Sequence, residues 1–384
     1  MALMLNNQEQ ERAFVVGEAI EAMASALRQA ARGDATRRPR IDNYCPTGQP
    51  GQFLNFSSME GVIRDPGYYA LRIKPDVMSW PIVDGIRRKE TFNTRPGRWG
   101  GLVFLFRVQT GELLAIMNDG FVQHARVAAT AALGIRYLAR PDARRLGIIG
   151  SGGMARSFAV AAAAVRPLEA IRVYSPNRAH LEAYRDEMVP QLPCPIELAA
   201  SAREAVAGAD IASCCTNALG SVLDGAWVEP GMHLTNVTTW ELAPSAYARV
   251  EVAGLLARRT AMSVAGLVDD DFAMRNNVWS WACGQPEERE QIPRGQYPAE
   301  PYPNARYVDC VDWATGTPYT RASADEVTTL ANSSYGTREG ECGQSAGLQG
   351  IQFAAVGGHL YERAVALGLG TELPQEMFLQ DVVT

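Results

Sequence analysis

The chain has 384 residues, 47% hydrophobic and 20% charged, with 35 Gly and 22 Pro; at roughly 150 residues per domain this predicts two domains and excludes disordered, collagenous and coiled-coil classes. A net charge of −6 with no Lys/Arg cluster lacks the basic footprint that neutralises phosphates, so nucleic acid is not an expected partner. The longest apolar run, 158–165, falls far short of the ~18–20 residues that cross a bilayer.

At the N-terminus, apolar Met1 to Leu5 gives way at once to Asn6-Asn7-Gln8-Glu9-Gln10-Glu11-Arg12, which is unlike a secretion signal. Gln8 to about Arg32 is predicted as one amphipathic helix, with Phe14, Val15, Ala19, Ile20, Met23 and Leu27 on its apolar face, ended by Gly33-Asp34. From Arg37 to Asp119 short strand-like runs alternate with Gly and Pro. They include Tyr68 to Lys74 and a hairpin of Leu102–Val108 with Leu113–Met117. A helix over Ala125–Ala139 follows. Strands at 146–149, 170–174, 211–215 and 233–237 then alternate with helices at 154–165 and 178–188, the pattern of a parallel sheet covered on both faces. Residues 273–320 carry Trp279, Trp281, Tyr297, Tyr302, Tyr307 and Trp313 with little periodicity, and read as an insertion with its own packing or function.

Seven scattered cysteines without C-x-x-C, and four histidines without H-E-x-x-H, argue for reduced thiols in a cytoplasmic, metal-free protein. Cys214 and Cys215, in an apolar strand, are expected in the core. Cys342 has no histidine nearby in sequence and is a poor candidate nucleophile.

Gly150-Ser151-Gly152-Gly153-Met154-Ala155 fits G-x-G-x-x-A between an apolar strand and a helix. The first Gly makes the tight turn, the second admits a pyrophosphate, and the small sixth residue lets helix and strand pack. An NAD enzyme usually places Asp or Glu at the end of the second strand. Here Tyr174-Ser175-Pro176-Asn177-Arg178 stands there, and Ser175, Asn177 and Arg178 can donate to a 2′-phosphate. The expectation is NADP(H) in preference to NAD(H).

Asn118 to Leu133, ending in Leu138-Ala139-Arg140-Pro141-Asp142-Ala143 directly before the Gly-rich turn, resembles the ornithine cyclodeaminase/mu-crystallin family, whose signature is a hairpin, an L-T-x-x-R-T-A-A helix and then a dinucleotide fold. Gly208-Ala209-Asp210-Ile211 running to Cys215-Thr216-Asn217, and Leu360-Tyr361-Glu362-Arg363-Ala364 with Gly368-Leu369-Gly370, add to the resemblance. It implies an α/β architecture, with a Rossmann dinucleotide-binding domain (126–339) inserted into a strand-rich α+β substrate and dimerisation domain (1–125 plus 340–384). It also implies a homodimer with the site in the cleft between lobes.

Carried over by position, the family's substrate residues fall on Arg126, Arg40 and Lys74. Arginine forks suit an α-carboxylate, and a lysine with a lowered pKa can exchange a proton with nitrogen. Thr216, Asn217 and Val237 fall on the cofactor side. Cyclodeaminating members carry an Asp where this chain has Trp240, in Val237-Thr238-Thr239-Trp240-Glu241. Trp cannot shuttle protons, so either Glu241 substitutes or the protein does not cyclise. The second is favoured. The small-residue stretch Gly340 to Ile351 is expected to form a loop near the nicotinamide.

The resulting expectation is an NAD(P)H-dependent oxidoreductase acting on the C–N bond of a small imino or amino acid. The alternatives are a cyclodeaminase with recycled NAD, and a non-catalytic NADP-dependent binding protein.

Overall fold

The computed structural model describes residues 1–38, 40–83, 85–257, 279–292, 302–331 and 348–381. Two sheets organise them, and alternation sets the faces of the first. In Phe53–Ile63 every second residue is buried, as a strand covered on one side requires.

This strand pairs antiparallel with Ile41–Pro46 on one side and Tyr68–Ser79 on the other. The sheet continues through Leu102–Arg107 and Leu113–Asn118, so the expected hairpin is present. It then takes in Ala2–Leu5 and Thr371–Leu373, which lie together. Strands from opposite sides of the sequence thus complete one sheet.

The second sheet is parallel throughout. Its order is Ile196–Leu198, Ala170–Tyr174, Arg145–Ile149, Ile211–Cys214, His233–Asn236, Thr328–Leu330, Val252–Leu255 and Arg306–Asp309. Its first five strands follow the 3-2-1-4-5 order of a Rossmann fold. Helices Gly153–Val165 and Arg178–Met188 connect the first three. Helix Asp119–Leu138 packs against helices Gly153–Val165, Val16–Arg32 and Gln349–Leu367 and strand Thr328–Leu330, with fourteen buried residues, so it is covered on several sides rather than along a single apolar stripe.

Three expectations change. The helix predicted over 8–32 is two, Asn7–Ala13 and Val16–Arg32, with extended backbone at Phe14 and Val15. The break turns the Phe14 ring edge-on to Phe121, centroids 5.2 Å apart. The helix expected from Ala125 begins at Asp119.

The insertion is divided rather than self-contained. Trp279–Ala282 extends the antiparallel sheet beside Ile41–Pro46, while Arg306–Asp309 is an edge of the parallel sheet. Residues 273–278 and 293–301, and Cys342 with the 340–347 part of the small-residue loop, lie outside the described residues. Gln349, Gly350 and Ile351 already belong to helix Gln349–Leu367.

Candidate active site

At the Gly-rich turn the backbone is the functional element. Gly150 has φ +115°, and a Cβ there would lie 2.2 Å from the Cys215 carbonyl oxygen; no L side chain fits either constraint. Gly152 caps the helix with no side-chain hydrogen bond, and a Cβ on it would meet nothing within 4 Å. Open space therefore faces the first N–H groups of a thirteen-residue helix, a cradle suited to a pyrophosphate.

Ser151 and Ala155 are buried beside this cradle and Met154 is half-buried. The Ser151 carbonyl accepts from Arg156 Nη1 at 2.6 Å. At the end of Ala170–Tyr174, Ser175 is half-buried and Asn177 and Arg178 are exposed. Asn177 caps the next helix by accepting from the His180 N–H at 3.0 Å. Arg178 Nε donates to Glu182 at 2.8 Å.

Glu241 is fully buried, and both its oxygens are engaged. Oε1 accepts from the Thr216 N–H (2.6 Å) and hydroxyl (2.8 Å), while Oε2 accepts from the Val237 and Thr238 N–H groups at 2.8 Å each. Burial pushes its pKa up to about 7 against the pull of these bonds. The carboxyl therefore clamps together the loops that leave two adjacent parallel strands, Ile211–Cys214 and His233–Asn236. Ligands of open α/β sheets bind at such carboxyl ends.

Val237 is buried within this clamp, Thr216 is half-buried and Asn217 is exposed. Trp240 Nε1 donates to the Ala218 carbonyl at 2.7 Å, and the Leu219 N–H donates to the Arg87 carbonyl at 3.1 Å. The loop is thus fixed to the other lobe as well. Glu241, the alternative stand-in for the missing Asp, has both oxygens engaged by these two loops.

Register assembles the opposite wall. Asp42, Ser57 and Lys74 form one row across three strands, and Tyr44, Asn55 and Asp76 form the next. Lys74 Nζ lies 2.5 Å from Asp76 Oδ2. Arg40 makes a two-pronged contact with Asp42 (2.7 and 3.0 Å) and donates to Ser57 Oγ at 3.0 Å. The fork of Arg40, expected to clamp a carboxylate, therefore closes on Asp42.

Arg72, two residues before Lys74, binds Asp119 Oδ2 through Nε and Nη2 (3.0 and 2.5 Å). Arg126 is fully buried. It donates to Gln352 Oε1 at 2.7 Å and to Gln123 Oε1 at 2.9 Å. The guanidiniums of Arg72 and Arg126 both lie over the Phe353 ring, 5.4 and 5.0 Å from its centroid.

Buried Asn55 Nδ2, Asp76 Oδ1 and Gln352 Nε2 have no hydrogen-bond partner among the described residues. Leaving such groups unmet costs about 1–3 kcal/mol each, so their concentration on one wall points to a polar ligand that meets them.

His124 joins the two walls. A Cβ on Gly153 would sit 2.5 Å from its Cε1, so the ring rests on the dinucleotide turn. Burial lowers its pKa to about 4, with the charges of Asp119, Lys74, Arg126 and Arg156 also acting on it. It is neutral at pH 7.

The structure thus brings Lys74, Arg40 and Arg126 to one wall and the 150–155 turn with 216, 217, 237 and 241 to the other. It leaves Arg178 on the outer rim. Sequence reasoning missed Asp42, Asp76, Arg72, Asp119, His124 and Gln352. The charged residues at 72, 74 and 76, spaced by two within a strand, were the available signal.

Sheet order and turn together define a Rossmann-type α/β fold. Residues 91–248 match the model of the Ornithine cyclodeaminase/mu-crystallin family. The chain is similar to Delta(1)-pyrroline-2-carboxylate reductase of Bacillus cereus, with 27% identity over 235 residues, 61% of this chain and 67% of that protein. It is also similar to ketimine reductase mu-crystallin of Rattus norvegicus, with 30% identity over 135 residues, 35% of this chain and 42% of that protein. Several curated relatives are matched over only about two fifths of their length, 42% in the rat case. In structure the chain is similar to Delta(1)-pyrroline-2-carboxylate reductase of Thermococcus litoralis in complex with NADH and L-proline. The TM-score is 0.65 at 21% identity, covering 97% of this chain and 100% of that one, a likeness of fold.

Proposed function

We propose that this chain is an NAD(P)H-dependent oxidoreductase of the C–N bond of a small imino or amino acid, acting as an imine or ketimine reductase or an amino-acid dehydrogenase. The observation that carries this reading is the meeting, at His124, of a dinucleotide turn with a wall of buried cations and unmet polar atoms. Relatives named as reductases of cyclic imino acids and ketimines support it.

A nicotinamide dinucleotide held by the 150–155 turn would supply or take up hydride at the α-carbon; the chain's own residues do the rest. Arg126, stacked on Phe353 and held by Gln123 and Gln352, presents its fork to the substrate carboxylate, and Gln352 Nε2 adds a donor. Lys74 holds a proton at Nζ for the substrate nitrogen and shares it with Asp76. Arg40 positions Asp42 and Ser57 on the same wall. Neutral His124, resting on Gly153 of the turn, would help to exclude water from the site.

NADP(H) is preferred over NAD(H) in this proposal. Residues 174–181 contain no carboxylate, and the next one, Glu182, is held by Arg178. A homodimer forms through the outer face of the antiparallel sheet. There Leu71, Ile73, Phe104 and Ile116 are only half-buried and Phe56 is exposed, an apolar surface of the kind that marks interfaces. The cytoplasmic location rests on the cysteine pattern. Among the described residues no helix is long and apolar enough to cross a membrane.

Cyclodeamination is disfavoured, because Trp240 stands at the expected Asp position and Glu241 is occupied by its own loops. Screening 2-oxo acids with amines, and cyclic imino acids, for consumption of added NADPH tests the proposal. Turnover of one of them is the expected result. Ammonia release with no net cofactor change would instead indicate a cyclodeaminase, and ligand affinity without turnover a binding protein.

A further inference from the structure

We propose that Cys45 and Cys283 are a dithiol pair that closes reversibly to a disulfide on exposure to a small-molecule disulfide, fastening the 279–292 segment to the substrate sheet. The inference is independent of the activity proposed above. Trp279–Ala282 runs parallel to Ile41–Pro46 with Ala282 opposite Tyr44, and the Cys283 N–H donates to the Tyr44 carbonyl at 3.0 Å. The next register step sets Cys283 opposite Cys45. Neighbouring strands lie about 4.8 Å apart, within the ~4.4–6.8 Å Cα separation that a disulfide spans.

Cys45 Sγ donates to the Pro46 carbonyl at 3.6 Å, and both thiols are free and exposed. Exposed disulfides belong to the labile, reversible class. The segment they would fasten is already seated. Ala282 and Ile292 pack with Tyr44, Phe53, Met78 and Trp80, and the Gly51 N–H donates to Gln291 Oε1 at 3.0 Å. Tyr44 shares a register row with Asn55 and Asp76, so the fastened segment bears directly on the wall that carries Lys74.

In the reaction one cysteine gives up its thiol proton to solvent and attacks the S–S bond of the small disulfide, releasing one thiolate. The second, also deprotonated, displaces the other thiolate from the mixed disulfide. Two S–H bonds and one S–S bond are exchanged for one protein S–S bond and two small-molecule thiols. The neighbouring Cys283 thiol and the charge of Glu288 raise the Cys45 pKa, so closure speeds up as pH rises.

The test is oxidation of the purified full-length chain with oxidised glutathione, alkylation of remaining thiols, and peptide mapping without reductant. The expected product is a peptide holding Cys45 linked to one holding Cys283. It should disappear on treatment with dithiothreitol and be absent from Cys45→Ser and Cys283→Ser. The melting temperature should rise on oxidation of the wild type and stay fixed in both variants. Persistent glutathione adducts on either cysteine, links between two copies of the chain, or full alkylation of both sites after oxidation would each overturn the proposal. None of these readouts depends on turnover.

Discussion

The Gly-rich turn and the polar wall of the antiparallel sheet meet at His124 yet are built by opposite means. At the turn no side chain is needed. Positive φ at Gly150, the empty volume before Gly152 and the uncapped helix start offer N–H groups to an anion. The sheet wall offers only side chains, in ion pairs of which two join residues two apart and one joins a strand to helix Asp119–Leu138. Arg40 closes on Asp42, Lys74 on Asp76, and Arg72 on Asp119. Damage at the turn should therefore be steric and abrupt, whereas damage at the wall should be electrostatic and selective.

The largest effect is expected at Gly150→Ala. Its Cβ meets the Cys215 carbonyl and its φ is disfavoured, so stability should fall by about 3 kcal/mol or more, and cofactor affinity should be lost in any folded fraction. Thermal unfolding and cofactor titration measure both. A variant that melts and binds like the wild type would remove the steric half of the contrast.

Glu241→Gln comes next. An amide nitrogen cannot accept from two N–H donors, so the cofactor-side clamp loses about 2–4 kcal/mol, read by denaturant unfolding. The wild type should also show a particular pH trend. Its carboxyl is raised from 4.5 to about 7, so the stabilisation is fully present below pH 4.5 and is lost as pH rises through 7, by on the order of 3 kcal/mol. Glu241→Gln should flatten that trend. An unchanged pH profile in the variant would assign it to another group.

The smallest effect is expected at the rim. Arg178→Ala should cut the NADPH over NADH preference about tenfold, roughly 1.4 kcal/mol, with little change in NADH affinity. Equal Kd values for the two cofactors in the wild type would remove the basis of the NADP preference.

The two regions also differ in how much of them could be read from the chain. Gly150-Ser151-Gly152-Gly153 announces itself because the backbone demands glycine at fixed spacing, and the strand–turn–helix context lies within thirty residues. Arg126 and Lys74 were visible through the family resemblance. Of their partners, Asp76 stands two residues from Lys74 and was open to reading, whereas Gln352 lies 226 residues from Arg126. The rows that set Asn55 beside Asp76 and Ser57 beside Asp42 depend on strand register, which one sequence does not state. Arg40 illustrates the consequence. It was read as a clamp for substrate until Asp42, two residues away on the same face, took up its fork. The insertion was recognisable by its aromatic content, but nothing local indicates that 279–282 joins one sheet and 306–309 the other. The helix break at Phe14-Val15 was equally hidden, since it serves a contact with Phe121 more than a hundred residues away.

The central claim is that the cation wall and the dinucleotide turn form a single site for reaction at a C–N bond. The most direct test measures turnover of reduced cofactor with an imino-acid substrate in Arg126→Met, alongside cofactor affinity. The account predicts a loss of kcat/KM of at least about 100-fold, roughly 2.7 kcal/mol or more, with cofactor Kd unchanged. Wild-type turnover in Arg126→Met would contradict it.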